Sequence, residues 1–448
     1  MNSVNETASK VIAVLDTLGI SRAHLVAWAS ADWGGLVARH ANRFATLTLA
    51  FPAMRLGTPD VIGLPTLSFA SDQGNGPVNT RRLMERAPQA KTVIFEGYHA
   101  PLWNDLIADN ARRIEKETRA HLASHPIPVV SLAAGPGRVG DIHYTVEGAG
   151  VEGAGPPVVL MPIGLVPSQW GPVRESLARD YCVISLGGAP LGMVATLEAR
   201  AQSGYGAIIH RLIDEAAPAA DSKMLEVGCG HGPLVRPLAA RRAAGPPITG
   251  IDINAYLLDE GRALAQAQGL AKAIDFRYAN AHALPFADDS FDVVFCSTVM
   301  EEGHADRMLA EMARVIRPGG RVVVAVRAVD MPWWVNLEED AAIRRTLNEL
   351  APKTSSGAGP DGCADASLYR RVMQAGFEHV RMRLQLAVYA GDARALEVRE
   401  RLLAMLQGDE LERAAAAIAN AEKAGSFFIA EPFHAAIGHT ATGVQPGH

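Results

Sequence analysis

The sequence predicts an α/β protein with two successive domains, each built on a mainly parallel sheet. Three observations carry this prediction. The chain has 448 residues and is 48% hydrophobic, which is enough for two or three domains with large cores. Short apolar runs alternate with amphipathic helical segments along most of its length. A glycine-containing turn follows a buried strand in each half, at 32–35 and at 228–232.

The turn in the second half ends an apolar strand. Residues 223–232 run Lys-Met-Leu-Glu-Val-Gly-Cys-Gly-His-Gly, with glycine at 228, 230 and 232. Glycines at these places let the chain turn sharply beside a bulky ligand. The helix predicted to begin near Pro233 directs its free N–H groups and positive dipole end at a carboxylate or phosphate. Similar turns bind NAD and FAD, so this segment alone predicts only a nucleotide-like ligand.

A second predicted strand ends in an acidic residue, Asp252, which lies 24 residues after Gly228. A carboxylate at this place suits the diol of a ribose. Further apolar runs, with turn residues between them, complete a βαβαβ pattern. The predicted strands after the first are 247–253, 274–280, 290–297 and 321–326.

Residues 205–440 resemble the class I methyltransferases that use S-adenosylmethionine (SAM), particularly the methyltransferase type 11 group with the ubiquinone and menaquinone methylases. The resemblance rests on the glycine turn, on Asp252 and on the segment 280–286, Asn-Ala-His-Ala-Leu-Pro-Phe. It implies a Rossmann-like, seven-stranded methyltransferase sheet and SAM as the cofactor. A nicotinamide dehydrogenase is disfavoured, because the second half of a dinucleotide site is missing.

The resemblance also implies individual roles. Glu226 and the turn Gly228-Cys229-Gly230 would contact the methionine part of SAM, and Asp252 would accept both ribose hydroxyls. Asn280 takes the place of a common Asp beside the adenine amino group, so it keeps an acceptor and lacks the charge. The other residues placed around the cofactor pocket are Ile253, Ala281, His282, Cys296, Ser297 and Thr298.

Methyl transfer needs few catalytic side chains, since the sulfonium is already activated and the protein mainly aligns the reactants in a dry pocket. Glu301, Glu302 and His304 follow the fourth strand and are candidates for taking a proton from the acceptor. These acidic residues also have a structural explanation, because acidic residues at the beginning of a helix interact favourably with its dipole. Trp333 and Trp334 suit either the wall of an apolar acceptor pocket or a core.

The remaining segments of the second half predict structural elements. Strands at 384–389 and 427–430 close the sheet in antiparallel orientation. Between them, a helical insertion near 392–424, broken at Gly408-Asp409, suggests a lid or the contact of a homodimer. The helix predicted at 304–316 has a core face at helical spacing, formed by Met308, Leu309, Met312, Val315 and Ile316.

The first half carries a different pattern, which resembles the nucleophile elbow of α/β-hydrolases. Residues 24–35 run His-Leu-Val-Ala-Trp-Ala-Ser-Ala-Asp-Trp-Gly-Gly, and with Asp32 as nucleophile the small residues required around it fit. Asp-Trp-Gly-Gly is similar to the sequence of haloalkane dehalogenases and epoxide hydrolases, in which a carboxylate forms an ester intermediate. By the same resemblance Asp72 and His99 match the acid and the base of the triad.

The order of the hydrolase-like elements is circularly permuted. The chain begins at the helix before the elbow, and segments that resemble the opening hydrolase strands come only at 141–192. Chain ends of compact domains often lie close enough to allow this. The sequence therefore predicts one doubly wound, α/β-hydrolase-like domain at 1–200: C-terminal-half elements at 1–132, a Gly/Pro-rich linker at 133–140 and N-terminal-half elements at 141–200.

Departures from the hydrolase pattern argue against hydrolysis. Ile163-Gly164 replaces the His-Gly that shapes the oxyanion hole, and only about thirteen residues separate Phe51 from Pro65, where a cap domain usually lies. We therefore expect a small-molecule methyltransferase with a degenerate hydrolase-like domain. Two alternatives stay open: a hydrolase with nucleophile Asp32 fused to a SAM-binding domain, and a partner-regulating pseudoenzyme.

Composition argues against several other classes. A net charge of −6 without basic stripes argues against a nucleic-acid binder. The four cysteines lack metal-ligand spacing, so we expect no metal and reduced thiols in a cytoplasmic protein. No apolar run reaches the roughly 18 residues needed to span a bilayer, and residues 1–10 do not resemble a signal peptide.

Overall fold

In the computed structural model, the chain divides into two compact units, Met1–Thr196 and Leu197–His448. This division falls a few residues before the boundary predicted near 200–205, and the domain assignments remain predictions. The structure describes residues 2–28, 36–37, 39–51, 62–73, 76–98, 104–148, 154–242, 245–337, 340–354 and 358–442.

The strands of the first unit come from both of its predicted segments. They are β1 Ala23–Ala27, β2 Phe44–Ala50, β3 Thr66–Ser71, β4 Lys91–Phe95, β5 Val130–Ser131, β6 Gly135–Val139, β7 Ile142–Glu147, β8 Ala154–Gly155, β9 Pro157–Leu160 and β10 Cys182–Gly188. The main sheet has the order β4-β3-β2-β1-β9-β10-β7-β6. Its pairs are parallel from β4 to β10 and antiparallel at β7 and β6. The central pair β1–β9 joins the two segments in one sheet.

Helices cover the two faces of this sheet. Leu25 and Val26 of β1 belong to separate buried clusters, as the alternation of side chains along a strand buried on both faces requires. The described helices of this unit, with the last one continuing into the second, are Asn2–Thr17, Gly76–Arg86, Leu106–Ala123, Gly171–Leu177 and Gly192–Ala201.

The predicted linker at 133–140 contains a strand instead. β6 pairs antiparallel with β7 at the edge of the sheet, where glycine and proline are tolerated. Gly137 leaves room for the ring of Tyr144, since a Cβ at this glycine would lie 2.2 Å from Tyr144 Cζ. The Gly/Pro-rich segment therefore contains an edge strand, in which Gly137 lies under an aromatic ring.

The second unit has its own sheet. Its strands are β11 Met224–Val227, β12 Ile248–Asp252, β13 Ile274–Tyr278, β14 Phe291–Ser297, β15 Ile316–Arg327, β16 Trp334–Val335, β17 Glu378–Tyr389 and β18 Ile429–His439. The order β13-β12-β11-β14-β15 is parallel, as the βαβαβ pattern predicts. β18 then pairs antiparallel with β15, while β17 and the short β16 both pair with β18.

Three of these strands, β15, β17 and β18, are longer than predicted, and β17 begins at Glu378 instead of residue 384. β15 begins at Ile316, directly after the helix Ala305–Val315, and Gly319 adopts a φ of 72° between the predicted helix and the predicted strand. β18 extends to His439, because it pairs with β15 on one side and β17 on the other. The polar residues Glu431 and His434 interrupt its apolar pattern, so the sequence showed only its beginning.

The core face predicted for the helix Ala305–Val315 is confirmed, because its predicted residues are buried. The helices of the second unit are Gly204–Glu215, Val235–Arg241, Ala255–Ala267, Ala305–Val315, Ala341–Leu350, Ser367–Gln374, Ala393–Ala404 and Gly408–Ala424. Among the described residues, no helix is long and apolar enough to cross a membrane.

The two neighbouring tryptophans have different environments. Trp333 is 3% exposed and lies in a cluster formed with the helices Ala341–Leu350, Ala393–Ala404 and Gly408–Ala424. Trp334 is 46% exposed. The pair does not form a common wall, and Trp333 serves the core of the helical insertion.

Candidate cofactor site

The glycines of the turn after β11 allow an unusual backbone conformation and, at Gly228, the close approach of another side chain. Gly228, Gly230 and Gly232 have φ values of 75°, 54° and 78°, which L side chains rarely adopt. A Cβ on Gly228 would lie 2.2 Å from Val299 Cγ2, so the protein itself fills this space. A Cβ on Gly230 would have its nearest neighbours at 3.8 Å. The surroundings of Gly230 are therefore less tightly packed than those of Gly228, and the neighbours are the side chains of Leu197 and Leu257.

Asp252 ties the ends of β11 and β12 together. Its Oδ2 accepts a hydrogen bond from the Gly230 N–H at 2.8 Å, and its Oδ1 accepts one from the Asn254 N–H at 2.9 Å. Burial raises the pKa of Asp252, and these N–H donors act in the opposite direction. Each carboxylate oxygen retains a lone pair for a further donor. The structure thus brings Asp252 into contact with the glycine turn, and the sequence analysis assigned both to one ligand.

Glu226, in β11, presents an unsatisfied acceptor to the same region. Its side chain is 2% exposed, and Oε2 has no hydrogen-bond partner among the described residues. Burial, with the nearby charge of Asp252, raises the pKa of Glu226 well above its usual value. Buried polar atoms are generally hydrogen-bonded, so this oxygen suits a donor group of a ligand.

The cysteine side chains of this region pack into the core. Cys229 Sγ would lie 2.9 Å from a Cβ on Gly250, and both Cys229 and Cys296 are buried in apolar clusters. Burial raises the pKa of both thiols. Only the backbone of Cys229 is therefore a candidate for ligand contact.

The predicted adenine side lies after β12 and β13. Asn280 Oδ1 accepts a hydrogen bond from the His282 N–H at 2.9 Å, and His282 Nε2 accepts one from the His304 N–H at 2.9 Å. Both polar side chains thus shape the loop itself. Ile253 is exposed, and Tyr278 is 67% exposed at the end of β13. Sequence reasoning missed Tyr278, although an exposed aromatic ring two residues before Asn280 is a signal for a flat ligand surface.

The end of β14 brings Ser297 and Thr298 together with residues from the beginning of the unit. Tyr205 Oη lies 2.7 Å from Ser297 Oγ, and Arg200 Nη1 donates to Thr298 Oγ1 at 3.1 Å. Thr298 has a φ of 54°, which is uncommon for a residue with a β-branched side chain. Sequence reasoning included the serine and the threonine but missed Arg200 and Tyr205.

The three candidate bases differ in environment. Glu301 is fully buried, with Oε1 accepting from the Arg327 N–H at 2.9 Å and pairing with its guanidinium at 3.5 Å. Burial and the neighbouring Glu301 raise the pKa of Glu302 to about 8. His304 is exposed and caps the helix Ala305–Val315, accepting the Arg307 N–H at 3.4 Å. The geometry gives Glu301 and His304 structural roles and leaves Glu302 as the candidate base.

The first unit gives partial information on the predicted triad. Asp32 and His99 lie outside the described residues. Asp72 follows β3, and its Oδ1 accepts a hydrogen bond from the Gly97 N–H, after β4, at 2.8 Å. At the predicted oxyanion position, the Ile163 N–H already donates to Gln169 Oε1 at 2.7 Å. This donor is therefore engaged within the protein.

Comparison with known proteins identifies the central part of the second unit. Residues 225–324 match the model of a family described as a methyltransferase domain. This part of the second unit is therefore similar to methyltransferase domains. Methyltransferase GfsG of Streptomyces halstedii is 32% identical over 148 residues, which are 33% of this chain and 48% of that protein. Ubiquinone/menaquinone biosynthesis C-methyltransferase UbiE of Bartonella tribocorum is 38% identical over 113 residues, 25% of this chain and 44% of that protein.

These matches cover only part of each protein. The chain spans about half the length of the curated relatives it matches. A solved structure, the YcgJ protein from Bacillus, aligns with 53% of this chain and 100% of its own at 16% identity, with a TM-score of 0.36. The family match begins in β11 and ends within β15, and thus contains the glycine turn, Asp252 and Glu302. The hydrolase-like resemblance of the first unit stays a prediction.

Proposed function

We propose that this protein is a SAM-dependent methyltransferase acting on a small-molecule acceptor. The observation that carries the proposal is the hydrogen bond between Asp252 Oδ2 and the Gly230 N–H, at 2.8 Å, within the segment that matches the methyltransferase family. It supports a single adenosyl ligand held across the ends of β11 and β12.

The buried polar groups fit this cofactor. Glu226 Oε2 is an unsatisfied acceptor for the methionine amine, and Asp252 has lone pairs for the ribose hydroxyls. The exposed side chains of Ile253 and Tyr278 offer apolar surface for the adenine. Ser297 lies at the end of β14, where the methionine part of the cofactor would approach the acceptor. When bound, SAM supplies an activated methyl group.

In methyl transfer we assign proton transfer or hydrogen bonding to Glu302 and a structural role to Glu301. Glu302 holds a proton at neutral pH because its pKa is about 8. Above that pH it can take a proton from an acceptor hydroxyl, and below it can donate a hydrogen bond to the acceptor. The fully buried Glu301, held by Arg327, keeps the loop after β14 in place. The helical insertion, Ala393–Ala404 and Gly408–Ala424, is the proposed lid or homodimer contact.

For the first unit we propose a permuted, hydrolase-like scaffold without hydrolytic activity. The pairing of β1 with β9 supports one sheet built from both predicted segments. The replacement of the usual His-Gly by Ile163-Gly164 supports the absence of hydrolysis, and the Ile163 N–H is already bonded to Gln169 within the protein.

Titration calorimetry of the full chain with SAM and with its demethylated product tests the proposed function. We expect the wild type to bind both ligands and Asp252→Ala to lose affinity on the order of 100-fold or more, since a charged acceptor for two hydroxyls is removed. Asp259→Ala is the matched control, because Asp259 is an exposed acid paired with Arg262 on a surface helix. A wild type without affinity for SAM, or an unchanged affinity in Asp252→Ala, would contradict the proposal.

A further inference from the structure

Arg200 has a buried guanidinium with unused hydrogen-bond donors. The residue is 8% exposed, and Nη1 donates to Thr298 Oγ1 at 3.1 Å. Its Nε and Nη2 have no hydrogen-bond partner among the residues that the structure describes. Buried charged groups are normally fully bonded, because desolvation penalises an unsatisfied donor. The two free nitrogens therefore point to an anionic ligand.

The surroundings of Arg200 place it at the candidate cofactor site. Its guanidinium carbon lies 3.8 Å from the centre of the Tyr205 ring, and the Tyr205 hydroxyl is bonded to Ser297 at the end of β14. Leu197, one turn earlier in the same helix, reaches to 3.8 Å from the place of a Cβ on Gly230. Arg200 thus lies on a helix that contacts the glycine turn through Leu197. Its own side chain is hydrogen-bonded to Thr298, directly after β14.

The other arginines near this site already have acidic partners. Arg236 pairs with Glu198, Arg327 pairs with Glu301 at 3.5 Å, and Arg394 pairs with Glu431 at 3.4 Å. The acids of the crevice, Glu226 and Asp252, suit the donor groups of a ligand. Within the described part of the chain, Arg200 is the arginine of this neighbourhood without a carboxylate within salt-bridge distance.

We propose that Arg200 binds the carboxylate of the methionine moiety of SAM. A guanidinium offers paired donors that match a carboxylate, and stacking on Tyr205 fixes its plane. The helix Gly192–Ala201 precedes both the predicted methyltransferase domain and the family match at 225–324, so the cofactor site extends beyond them. This assignment rests on the proposed function, because it takes SAM as the ligand.

A comparison of two ligands tests the assignment directly. Calorimetry measures the affinity of the full chain for SAM and for decarboxylated SAM, which retains the adenosine, the sulfonium and the amine. We expect the wild type to prefer SAM by on the order of 10- to 100-fold, the range for a hydrogen-bonded charged group. Arg200→Gln should lose this preference by weakening SAM alone, and Arg200→Lys should retain part of it.

Arg241→Gln is the control, because Arg241 forms an exposed ion pair with Asp214 in the same unit. Circular dichroism and thermal unfolding of each variant show whether it is folded. If Arg200→Gln weakens both ligands equally, or weakens neither, the assignment is overturned while the proposed function stands. If the wild type binds neither ligand, the proposed function fails and the assignment fails with it.

Discussion

Both units contain a similar local arrangement, in which an aspartate at the end of one parallel strand or just after it accepts the N–H of a glycine that follows the neighbouring strand. Asp252 accepts from Gly230 and Asp72 accepts from Gly97, each at 2.8 Å. In the second unit the buried charged side chains of Glu226 and Arg200 have unused bonding capacity, whereas the buried atoms without a partner in β2 and β3 of the first unit are hydroxyls, Thr48 Oγ1 and Ser68 Oγ. Asp72 is exposed. Such a hydrogen bond joins two strand ends in both units, and the buried charged groups with unused bonding capacity in the second unit favour a ligand site there.

The largest expected difference between the units is the loss of unfolding free energy when Gly228 or Gly97 is replaced by alanine. Gly228→Ala adds a Cβ at 2.2 Å from Val299 Cγ2 at a φ of 75°, so strain and overpacking act together. Gly97→Ala, at a φ of 68°, meets no atom within 4 Å. We expect unfolding free energies to fall by about 3 kcal/mol for Gly228→Ala and about 1 kcal/mol for Gly97→Ala. Urea unfolding measures both, and equal losses would show that the glycine turn of the second unit is not specially packed.

A second difference is the acidic pair that follows β14 in the second unit. Burial raises the pKa of Glu302 to about 8, so this carboxyl is mostly protonated at pH 6 and ionises as the pH rises through 8. If it takes a proton from the acceptor, the methyl-transfer rate should rise by about tenfold per pH unit below 8 and level off above it. Rate profiles of the wild type and Glu302→Gln check this, and the variant should lack that rise.

The same shift has a consequence for stability. A carboxyl whose pKa is raised in the folded state stabilises the fold fully below its unfolded pKa, near 4.5, and this contribution is lost as the pH rises through 8. Wild-type stability relative to Glu302→Gln should therefore decline between about pH 5 and pH 8. A pH-independent difference between the two would contradict the buried position of the Glu302 carboxyl.

Apolar runs and turn residues in the sequence predicted the part of the candidate site that lies at the ends of β11, β12 and β14. The glycine turn, Asp252 and Ser297 follow strands whose apolar runs are visible in the sequence, and parallel pairing brings their ends together. Arg200 and Tyr205 were missed, because they precede the strands and reach the site only through helix packing and two side-chain hydrogen bonds. No periodicity encodes such a contact. β6 was missed for a related reason, since the space above Gly137 is filled by the ring of Tyr144 from the neighbouring strand, which the local sequence does not show.

The smallest expected effect concerns Asp72, the counterpart of Asp252 in the first unit. Asp72→Ala removes an exposed hydrogen bond to the Gly97 N–H, so we expect a loss of about 1 kcal/mol in unfolding free energy and unchanged SAM affinity. Asp72→Asn retains the accepting oxygen and should restore most of that stability. Assays with ester, epoxide and haloalkane substrates should give background rates for the wild type and both variants. Turnover by the wild type that Asp72→Asn abolishes would show that the aspartate orients a base, and the first unit would then be a working hydrolase and not a scaffold.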